Sequence, residues 1–435
     1  MLYKRLMKEQ IYPKLLIISH NLYDTSNNIG KTLVSLLSGW PKDKIAQIYF
    51  RNDTPSFNYC SQYYCITDKD ILKSAMTCRI KKAGNKVQSF TDLLLSGTEN
   101  NLYTIGNHRS PFISFVRDNL WKVADWKTQK LENWLTNEVK PDLILFVPND
   151  YCLAYRVALY VHGIVNKPIV PFYMDDAFYW KCHIKGIDNL RRKCLWKLAL
   201  RIHEYSKDIL TICDYMSEEY QELFKRKCWA FVNSVKIVAP RQNDQLHNPI
   251  VLTYLGNLHS NRWRSLVEIG ESLVKIEKDN GITCRLHIYS GSILEVNMKK
   301  AFDSISTIEF KAAVPASQVR RLQLLSDILI HVEAFDERSV YSTRLSLSTK
   351  IPEYLSTGVP VFAYGPLSIA SMRYLTDNNL SQVCYESTDL YDALLELITN
   401  KQKRDFFSLN GVARALQYHN IDNVSQIFQN LLIQY

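Results

Sequence analysis

The stretch SLSTKIPEYLSTGVPVFAYGP, residues 346–366, has the pattern of a short helix followed by a buried strand. Ser348 or Thr349 stands where a hydroxyl caps a helix N-terminus. Gly358 permits the left-handed conformation that ends many helices, and the apolar run that starts at Pro360 is typical of a strand. The stretch therefore predicts one helix-to-strand step of an α/β fold.

Two charged residues of this helix suit a nucleotide ligand. Lys350 and Glu353 are three residues apart, which places them on neighbouring faces of one turn. The free N–H groups at the start of a helix favour a phosphate, and the two oxygens of a carboxylate can accept both hydroxyls of a ribose. The alternative is that Lys350 and Glu353 form an ordinary solvated ion pair.

The same alternation of strands and helices extends over most of the chain. In the first half, apolar runs such as Leu143–Val147 alternate with helical stretches, and a similar series begins again near residue 250. Alternating β and α elements predict parallel sheets, and residues 235–249 lack periodicity and are interpreted as a linker. Residues 51–112 are predicted to be irregular. We predict an α/β protein of two tandem Rossmann-like domains, residues 1–240 and residues 241–405. A helical tail, residues 406–435, is predicted to pack back on the first domain.

The composition is that of a globular, cytoplasmic protein. The 435 residues are 46% hydrophobic and 22% charged, and no run of about 18 apolar residues occurs. The N-terminus has no apolar segment of a secretory signal. The ten cysteines are scattered and form neither a CxxC pair nor a zinc-ligand set, which predicts reduced thiols and no metal.

The net charge of +10 is unevenly divided. Residues 1–240 contain 34 Lys and Arg against 23 Asp and Glu, whereas the remaining residues contain 19 against 20. Residues 189–205 form a basic, Trp-containing amphipathic helix, for which an anionic membrane is one interpretation and a core-facing helix with a solvated side the other. No nucleic-acid-binding motif accompanies the charge, so nucleic acid is not an expected partner.

The motif in residues 346–366 resembles the donor-site helix of GT-B glycosyltransferases, especially glycosyltransferase family 4. Glu353, Gly358, Pro360 and Val361 match the family's Glu, the Gly five residues later and the x-Pro-Val that follows. The family often has a second Glu eight positions before the first; Leu345 stands there, and Glu333 and Glu337 are the nearest carboxylates. The resemblance implies two Rossmann-like domains that face each other across a cleft.

The resemblance also implies a set of donor-binding residues. The segment from Tyr254 to Leu258 resembles the first strand and loop of the nucleotide-binding domain, and the arginines of residues 261–264 occupy the place of the family's pyrophosphate contacts. The expected donor-binding residues are Gly30, Gly256, Asn257, Arg262, Ser348, Thr349, Lys350 and Glu353. Gly30 is included because it lies between the first strand and its helix, where close approach of a phosphate is expected; an ordinary tight turn is the alternative.

Asp175 and Asp176 are the predicted catalytic residues. They follow a predicted strand, at the end where parallel sheets bind ligands, and related enzymes place a polar side chain at about this point. One of them would orient the acceptor hydroxyl or stabilise an oxocarbenium-like state, while the alternative is that Asp176 caps a turn. The pair is not the D-x-D motif of metal-dependent glycosyltransferases, so no metal and no cofactor are expected.

Together these features predict a glycosyltransferase that moves a sugar from a nucleoside-diphosphate sugar to an acceptor hydroxyl. Retention of configuration, and a role in cell-surface polysaccharide or glycoconjugate synthesis on a glycan or lipid-linked acceptor at the inner membrane face, are implied by the resemblance. The alternatives are a nucleotide-sugar epimerase of the same fold and a catalytically silent protein that binds a glycan or a partner.

Overall fold

The computed structural model describes residues 11–77, 79–87, 111–178, 186–238, 240–241 and 245–435. The chain divides into two compact units: Met1–Phe231 with Ser425–Tyr435, and Val232–Val424. Each unit contains one sheet covered by helices, and the predicted α/β class is confirmed for both.

The first unit contains an eight-stranded sheet in the order β4-β3-β2-β1-β5-β6-β7-β8 among the described residues. Neighbouring strands are parallel except for the β3–β4 pair at one edge. The strands are β1 (Leu15–Ser19), β2 (Ile45–Tyr49), β3 (Gln62–Cys65), β4 (Asn85–Val87), β5 (Leu143–Val147), β6 (Ile169–Tyr173), β7 (Asp208–Thr211) and β8 (Lys227–Ala230). The central strands β1, β2, β5 and β6 are buried at every position, which explains their continuous apolar sequences.

Helices cover both faces of this sheet, as right-handed crossovers between parallel strands require. They are α1 (Asn28–Leu36), α2 (Asp68–Met76), α3 (Pro111–Val123), α4 (Gln129–Asn133), which continues into a π-helical turn (Trp134–Val139), α5 (Cys152–Val165), α6 (Ile187–Glu204) and α7 (Asp214–Phe224).

The second unit contains a six-stranded parallel sheet in the order β11-β10-β9-β12-β13-β14. Its strands are β9 (Ile250–Leu255), β10 (Cys284–Ser290), β11 (Ile308–Ala312), β12 (Ile328–Val332), β13 (Val361–Tyr364) and β14 (Gln382–Cys384). Its helices are α8 (Arg262–Asn280), α9 (Val296–Asp303), α10 (Ala316–Leu324), α11 (Glu337–Thr343), α12 (Lys350–Leu355), α13 (Ala370–Asp377), α14 (Leu390–Thr399) and α15 (Lys401–Tyr418).

The last helix, α16 (Ile421–Ile433), joins the first unit from Ser425 onward. Gln429 Nε2 donates hydrogen bonds to the carbonyls of Leu36 and Ser38, at 3.1 and 2.7 Å. The Tyr435 hydroxyl donates to Asp208 Oδ2 at 2.7 Å. The end of the chain is therefore part of the first unit's structure.

The prediction that residues 51–112 are irregular is wrong for part of that range. It contains β3, α2 and β4, while residues 78 and 88–110 lie outside the described residues. The start of α2 is fixed by a capping box, in which Thr67 Oγ1 accepts from the Asp70 N–H at 3.1 Å and Asp70 Oδ2 accepts from the Thr67 N–H at the same distance. The two strands are too short for a period-two pattern to show in the sequence.

The basic helix of the sequence analysis, α6, does not expose all of its charge. Arg191 and Arg192 are 5% and 3% exposed, and each donates from Nε to the Asp188 carboxylate at 3.0 Å. Two of the basic residues of α6 are therefore buried in the first unit and paired with Asp188. The remaining basic residues of α6 are treated below.

The described part of the interpreted linker, residues 235–249, is bound to the second unit. The Arg241 guanidinium and the His247 ring both donate to Asp327 Oδ1, at 3.3 and 2.9 Å. The other oxygen of this buried carboxylate accepts from the Val251 N–H at 2.8 Å. Residues 239 and 242–244 lie outside the described residues.

The eight described cysteines are free thiols. Among the described helices, none combines the length and the apolar content that crossing a bilayer requires.

Candidate active site

The second sheet changes direction between β9 and β12, which are adjacent in space although two strands separate them along the chain. In parallel α/β sheets, the loops at the carboxyl ends of two such strands diverge and leave a crevice that binds ligands. Gly256 and Asn257 follow β9 directly, and Glu333 follows β12. Two of the predicted donor-binding residues, Gly256 and Asn257, therefore border this crevice.

Lys350, the first residue of α12, points its ammonium group at this crevice. Its Nζ lies 4.2 Å from the centre of the Tyr254 ring, and it has neither a hydrogen-bond partner nor an ion-pair partner among the described residues. Burial and the nearby Arg262 charge lower the pKa of Lys350 to about 7, and the carboxylates of Glu333 and Glu353 offset only part of this effect. The Lys350 ammonium is thus desolvated and close enough to Arg262 to be repelled by its charge.

Gly256 makes room for this ammonium. A Cβ atom at Gly256 would lie 2.5 Å from Lys350 Nζ and 3.2 Å from the Tyr254 hydroxyl. Any larger residue would therefore push the Lys350 side chain away from its place above the ring. Glycine at position 256, in the loop after β9, is therefore required for steric reasons.

Arg262 opens α8 and is held by the carboxylate of Glu333. Its Nε and Nη2 donate to Glu333 Oε2 at 3.0 and 2.8 Å, and its Nη1 donates to Asn257 Oδ1 at 3.4 Å. Glu333 is only 3% exposed, and its backbone carbonyl accepts from Ser265 Oγ. The Arg262 fork is therefore fixed in position next to Lys350 before any ligand arrives.

His331, which the sequence analysis did not single out, lies within β12 and is 1% exposed. Burial, and then the charges of Lys350 and Arg262, hold its pKa well below the ordinary value, so the ring is neutral. Its Nε2 lies 3.5 Å from Glu333 Oε1. A histidine inside an apolar strand gives no periodic signal, and only the strand's position in the sheet reveals its place in the site.

The predicted caps of α12 do not form as expected. Thr349 precedes the helix with helical backbone angles and its side chain makes no capping hydrogen bond, while the Ser348 N–H donates to Ser371 Oγ at 2.9 Å. The other end of the helix is bound by Arg320, which donates to the Ser356 carbonyl and hydroxyl at 2.9 and 2.8 Å. Gly358 has φ +71°, the left-handed conformation that was expected.

The alternative of a solvated Lys350–Glu353 ion pair is wrong, because Lys350 Nζ contacts the Tyr254 ring instead. Glu353 is half-buried and near enough to raise the pKa of Lys350, and its backbone carbonyl accepts from Ser356 Oγ at 2.8 Å. The ribose-binding role of Glu353 remains a prediction.

In the first unit, the two predicted catalytic aspartates follow β6 and differ in environment. Asp175 is exposed, whereas Asp176 is 3% exposed. Asp176 Oδ1 accepts from the Phe178 N–H at 2.9 Å and from the Tyr220 hydroxyl at 3.0 Å. Asp176 therefore stabilises its own turn, as the alternative held, and a catalytic role for either aspartate stays a prediction.

Gly30 lies in the first turn of α1, under the loop that precedes the helix. Its N–H donates to Asn27 Oδ1 at 2.8 Å, and a Cβ atom there would lie 2.1 and 2.7 Å from the carbonyl oxygens of Asp24 and Leu22. Glycine is thus required by the chain's own backbone. The predicted phosphate contact at Gly30 stays a prediction.

We expect Gly30→Ala to destabilise the first unit by about 1–3 kcal/mol, because two backbone carbonyls must move to admit one methyl group. Gly163→Ala in α5 is the matched control, since no atom lies within 4 Å of its added Cβ, and it should leave stability unchanged or raise it. Urea unfolding of both variants measures the difference. Equal stabilities would contradict the packing role of Gly30.

His20, directly after β1, is a half-buried histidine that the sequence analysis passed over. Burial, with the Arg117 charge as the next cause, lowers the pKa of His20 to about 4. Its ring packs near Phe50 and Tyr151, with centroid distances of 6.4 and 5.9 Å. It lies at the carboxyl edge of the first sheet, where β1 and β5 form that sheet's own change of direction.

The described residues contain no cluster of three His, Cys, Asp or Glu side chains that could hold a metal ion. The charged groups at the second unit's crevice are Arg262, Lys350, Glu333 and Glu353.

No family model matches the sequence, and no curated protein matches it significantly. Among solved structures, Anabaena Alr3699/HepE in complex with UDP and glucose is 14% identical, with a TM-score of 0.61 over 98% of this chain and all of that one. WaaG, a glycosyltransferase involved in lipopolysaccharide biosynthesis, is 13% identical, with a TM-score of 0.56 over 95% of this chain and 99% of its own. TarM is 13% identical, with a TM-score of 0.52, and the match spans 69% of this chain but only 57% of TarM. The likeness to HepE and to WaaG extends over nearly the whole chain, and the protein therefore has the GT-B fold.

Proposed function

We propose that this protein transfers a glycosyl group from a nucleoside-diphosphate sugar to an acceptor hydroxyl, with retention of configuration. The observation that supports this most strongly is the unpaired Lys350 ammonium next to the fixed Arg262 guanidinium at the crevice of the second unit. The Arg262 charge helps to lower the pKa of Lys350, and the negative groups of a diphosphate would offset this repulsion while contacting both cations.

The proposed chemistry depends on the leaving group, which is the nucleoside diphosphate. Breaking the bond between the sugar and the diphosphate places negative charge on the outer phosphate, and fixed cations stabilise that charge in the transition state. Arg262 is held by Glu333 and needs no rearrangement to act. Because the chain's own cations perform this task, the proposal includes no metal ion or cofactor.

The remaining donor contacts are assigned by resemblance and by position. Gly256 and Asn257 bound the crevice after β9, Ser348 and Thr349 lie beside Lys350, and Glu353 would accept the ribose hydroxyls. In the first unit, Asp175 would orient the acceptor. HepE was solved with UDP and glucose, which makes UDP and UDP-glucose the first ligands to test.

The proposed setting is synthesis of a cell-surface polysaccharide or glycoconjugate, in the cytoplasm at the inner face of the membrane. WaaG's part in lipopolysaccharide biosynthesis supports this context by likeness of fold. A glycan or a lipid-linked sugar is the proposed acceptor.

Replacing Glu353 tests the ribose assignment with a chemical control. Wild-type protein should bind UDP about 10–100-fold more tightly than 2′-deoxy-UDP, because a hydrogen bond to a charged group contributes about 1.5–3 kcal/mol. Glu353→Ala should bind both nucleotides with the same weak affinity by calorimetry, as a double-mutant cycle requires of an interacting pair. Equal discrimination by the variant and the wild type would remove Glu353 from the ribose site.

Turnover separates transfer from the alternatives. With a labelled nucleotide-sugar, a transferase forms a glycosylated product only when an acceptor is added, whereas an epimerase converts the donor alone. Stable nucleotide-sugar binding without either product across a broad acceptor panel would contradict the proposed activity.

Nucleotide affinity should also depend on pH in a particular direction. The pKa of Lys350 is lowered to about 7, so the free side chain loses its charge as the pH rises above 7, and a bound diphosphate restores the charge. The association constant should therefore fall between pH 7 and pH 9, by at most about tenfold per pH unit. Lys350→Met is the control, because its profile retains only the ionisation of the nucleotide. Parallel profiles of the variant and the wild type would contradict the role of Lys350.

A further inference from the structure

Three helices of the first unit, α2, α3 and α6, lie side by side in that order and form one surface, called here the α2–α3–α6 surface. Arg117 of α3 binds Asp68 of α2 at 2.7 Å. Arg156 links the other pair, since it donates to the Asp118 carbonyl of α3 at 2.7 Å and to Cys194 Sγ of α6 at 3.7 Å. The outward side chains of the three helices, and of the turn after α2, therefore belong to one face.

This surface exposes large apolar side chains on each of its helices. Ile80 is 85% exposed, Met76 76% and Leu190 62%. Val116 and Val123 on α3 and Leu200 on α6 are exposed as well. Single exposed apolar residues need no explanation, but a group on three adjacent helices indicates a surface that meets a partner.

Basic side chains stand between these apolar residues. Lys193, Lys197 and Arg201 share the exposed side of α6 with Leu190 and Leu200. Lys73 on α2, Arg79 in the turn after α2 and Lys122 on α3 are exposed as well, and none of the six basic residues forms an ion pair with a described residue. These six side chains are therefore available to bind an external anionic partner.

The acidic residues of these helices do not offset this charge. Asp188 is bound by Arg191 and Arg192, Asp68 is bound by Arg117, and Asp70 caps the start of α2. Asp118 is buried, while Glu204 stays exposed only at the last turn of α6. The six basic side chains are thus displayed on a face that is also apolar.

We propose that the α2–α3–α6 surface docks on an anionic lipid bilayer, with its aliphatic side chains in the interface and its lysines and arginines against the headgroups. A second copy of the same surface would bring like charges together, and a nucleic acid would leave the aliphatic side chains without a partner. An anionic bilayer satisfies both groups, because aliphatic chains enter its interface and cations gain from its negative surface potential. The purpose of such docking, access to a membrane-linked acceptor, rests on the proposed function, whereas the binding itself follows from the surface.

Vesicle sedimentation of the full chain tests the proposal. The protein should bind vesicles of phosphatidylglycerol mixed with phosphatidylcholine, should not bind phosphatidylcholine alone, and should be released by high salt. The triple variant Lys193→Glu, Lys197→Glu, Arg201→Glu should lower the partition coefficient roughly tenfold or more. Leu190→Ser with Leu200→Ser should also weaken binding, although it changes no charge.

A matched variant controls for net charge. The control variant replaces three exposed lysines of the second unit by glutamate: Lys275→Glu, Lys299→Glu and Lys300→Glu. Its net charge changes by the same amount as in the surface variant, and it should bind vesicles like the wild type. Equal losses in both triple variants, or equal binding to neutral vesicles, would overturn the proposal. So would a dimer in sedimentation velocity that Leu190→Ser with Leu200→Ser dissociates, because the surface would then be a subunit interface.

UDP binding by the same variants keeps the two proposals apart. The surface variants should bind UDP as the wild type does. A chain that binds anionic vesicles but no nucleotide would contradict the proposed function alone, and the reverse result would contradict the docking surface alone.

Discussion

Lys350→Met should weaken the binding of UDP by about 10–150-fold, because it removes one charge-assisted hydrogen bond, which contributes about 1.5–3 kcal/mol. The methionine side chain keeps the packing above the Tyr254 ring and removes only the ammonium. Folding should survive, and stability should stay the same or rise, since the native Lys350 is desolvated and repelled by Arg262. Isothermal titration calorimetry gives the affinity, and urea unfolding gives the stability.

Lys278→Met is the matched control for this experiment. Lys278 is an exposed residue near the end of α8, and none of the described contacts of the crevice includes it. The Lys278→Met variant should bind UDP like the wild type. An unchanged affinity in Lys350→Met, with the same protein still folded, would mean that the ammonium faces no phosphate.

Arg262→Met should destabilise the second unit by about 3–5 kcal/mol, because it leaves Glu333 buried without its partner. Adding Glu333→Gln should restore most of this stability, since the double variant no longer buries an unpaired charge. The double variant should nevertheless bind UDP far more weakly than the wild type, because the guanidinium fork is gone. Denaturant unfolding and calorimetry on the three proteins separate the structural role of the pair from its ligand-binding role.

Arg264→Met, two residues further along α8, controls for the loss of an arginine at this helix start. Arg264 is exposed and lies 5.4 Å from the Trp263 ring, so its removal should change stability by no more than about 0.5 kcal/mol. A double variant that regains stability and also binds UDP normally would show that Arg262 only neutralises Glu333.

The sequence predicted the parts of the fold that have long, regular patterns. The buried strands at the centre of each sheet are continuous apolar runs, and the helices between them have the 3.6-residue period, so the two α/β units could be inferred before the structure. The left-handed Gly358 was predicted because a helix must end there for the next strand to begin. The elements between residues 51 and 87 were missed because β3 and β4 have only four and three residues.

The candidate site was predictable where its residues are close in the sequence. Lys350 and Glu353 belong to one helical turn, and their spacing suggested a ligand. The contact of Lys350 with Tyr254, and the ion pair of Arg262 with Glu333, join segments about 70–100 residues apart, and no local pattern indicates them. Arg191 and Arg192 also look like surface charges in the sequence, and only the structure shows that they are buried and bound by Asp188.

A crystal structure of the full chain with a nucleoside diphosphate would show where the phosphates bind. We expect the phosphates within hydrogen-bond distance, about 3 Å, of Lys350 Nζ and the Arg262 guanidinium, at the carboxyl ends of β9 and β12. A diphosphate bound to the second unit without touching Lys350, or bound only to the first unit, would rule out the proposed donor site.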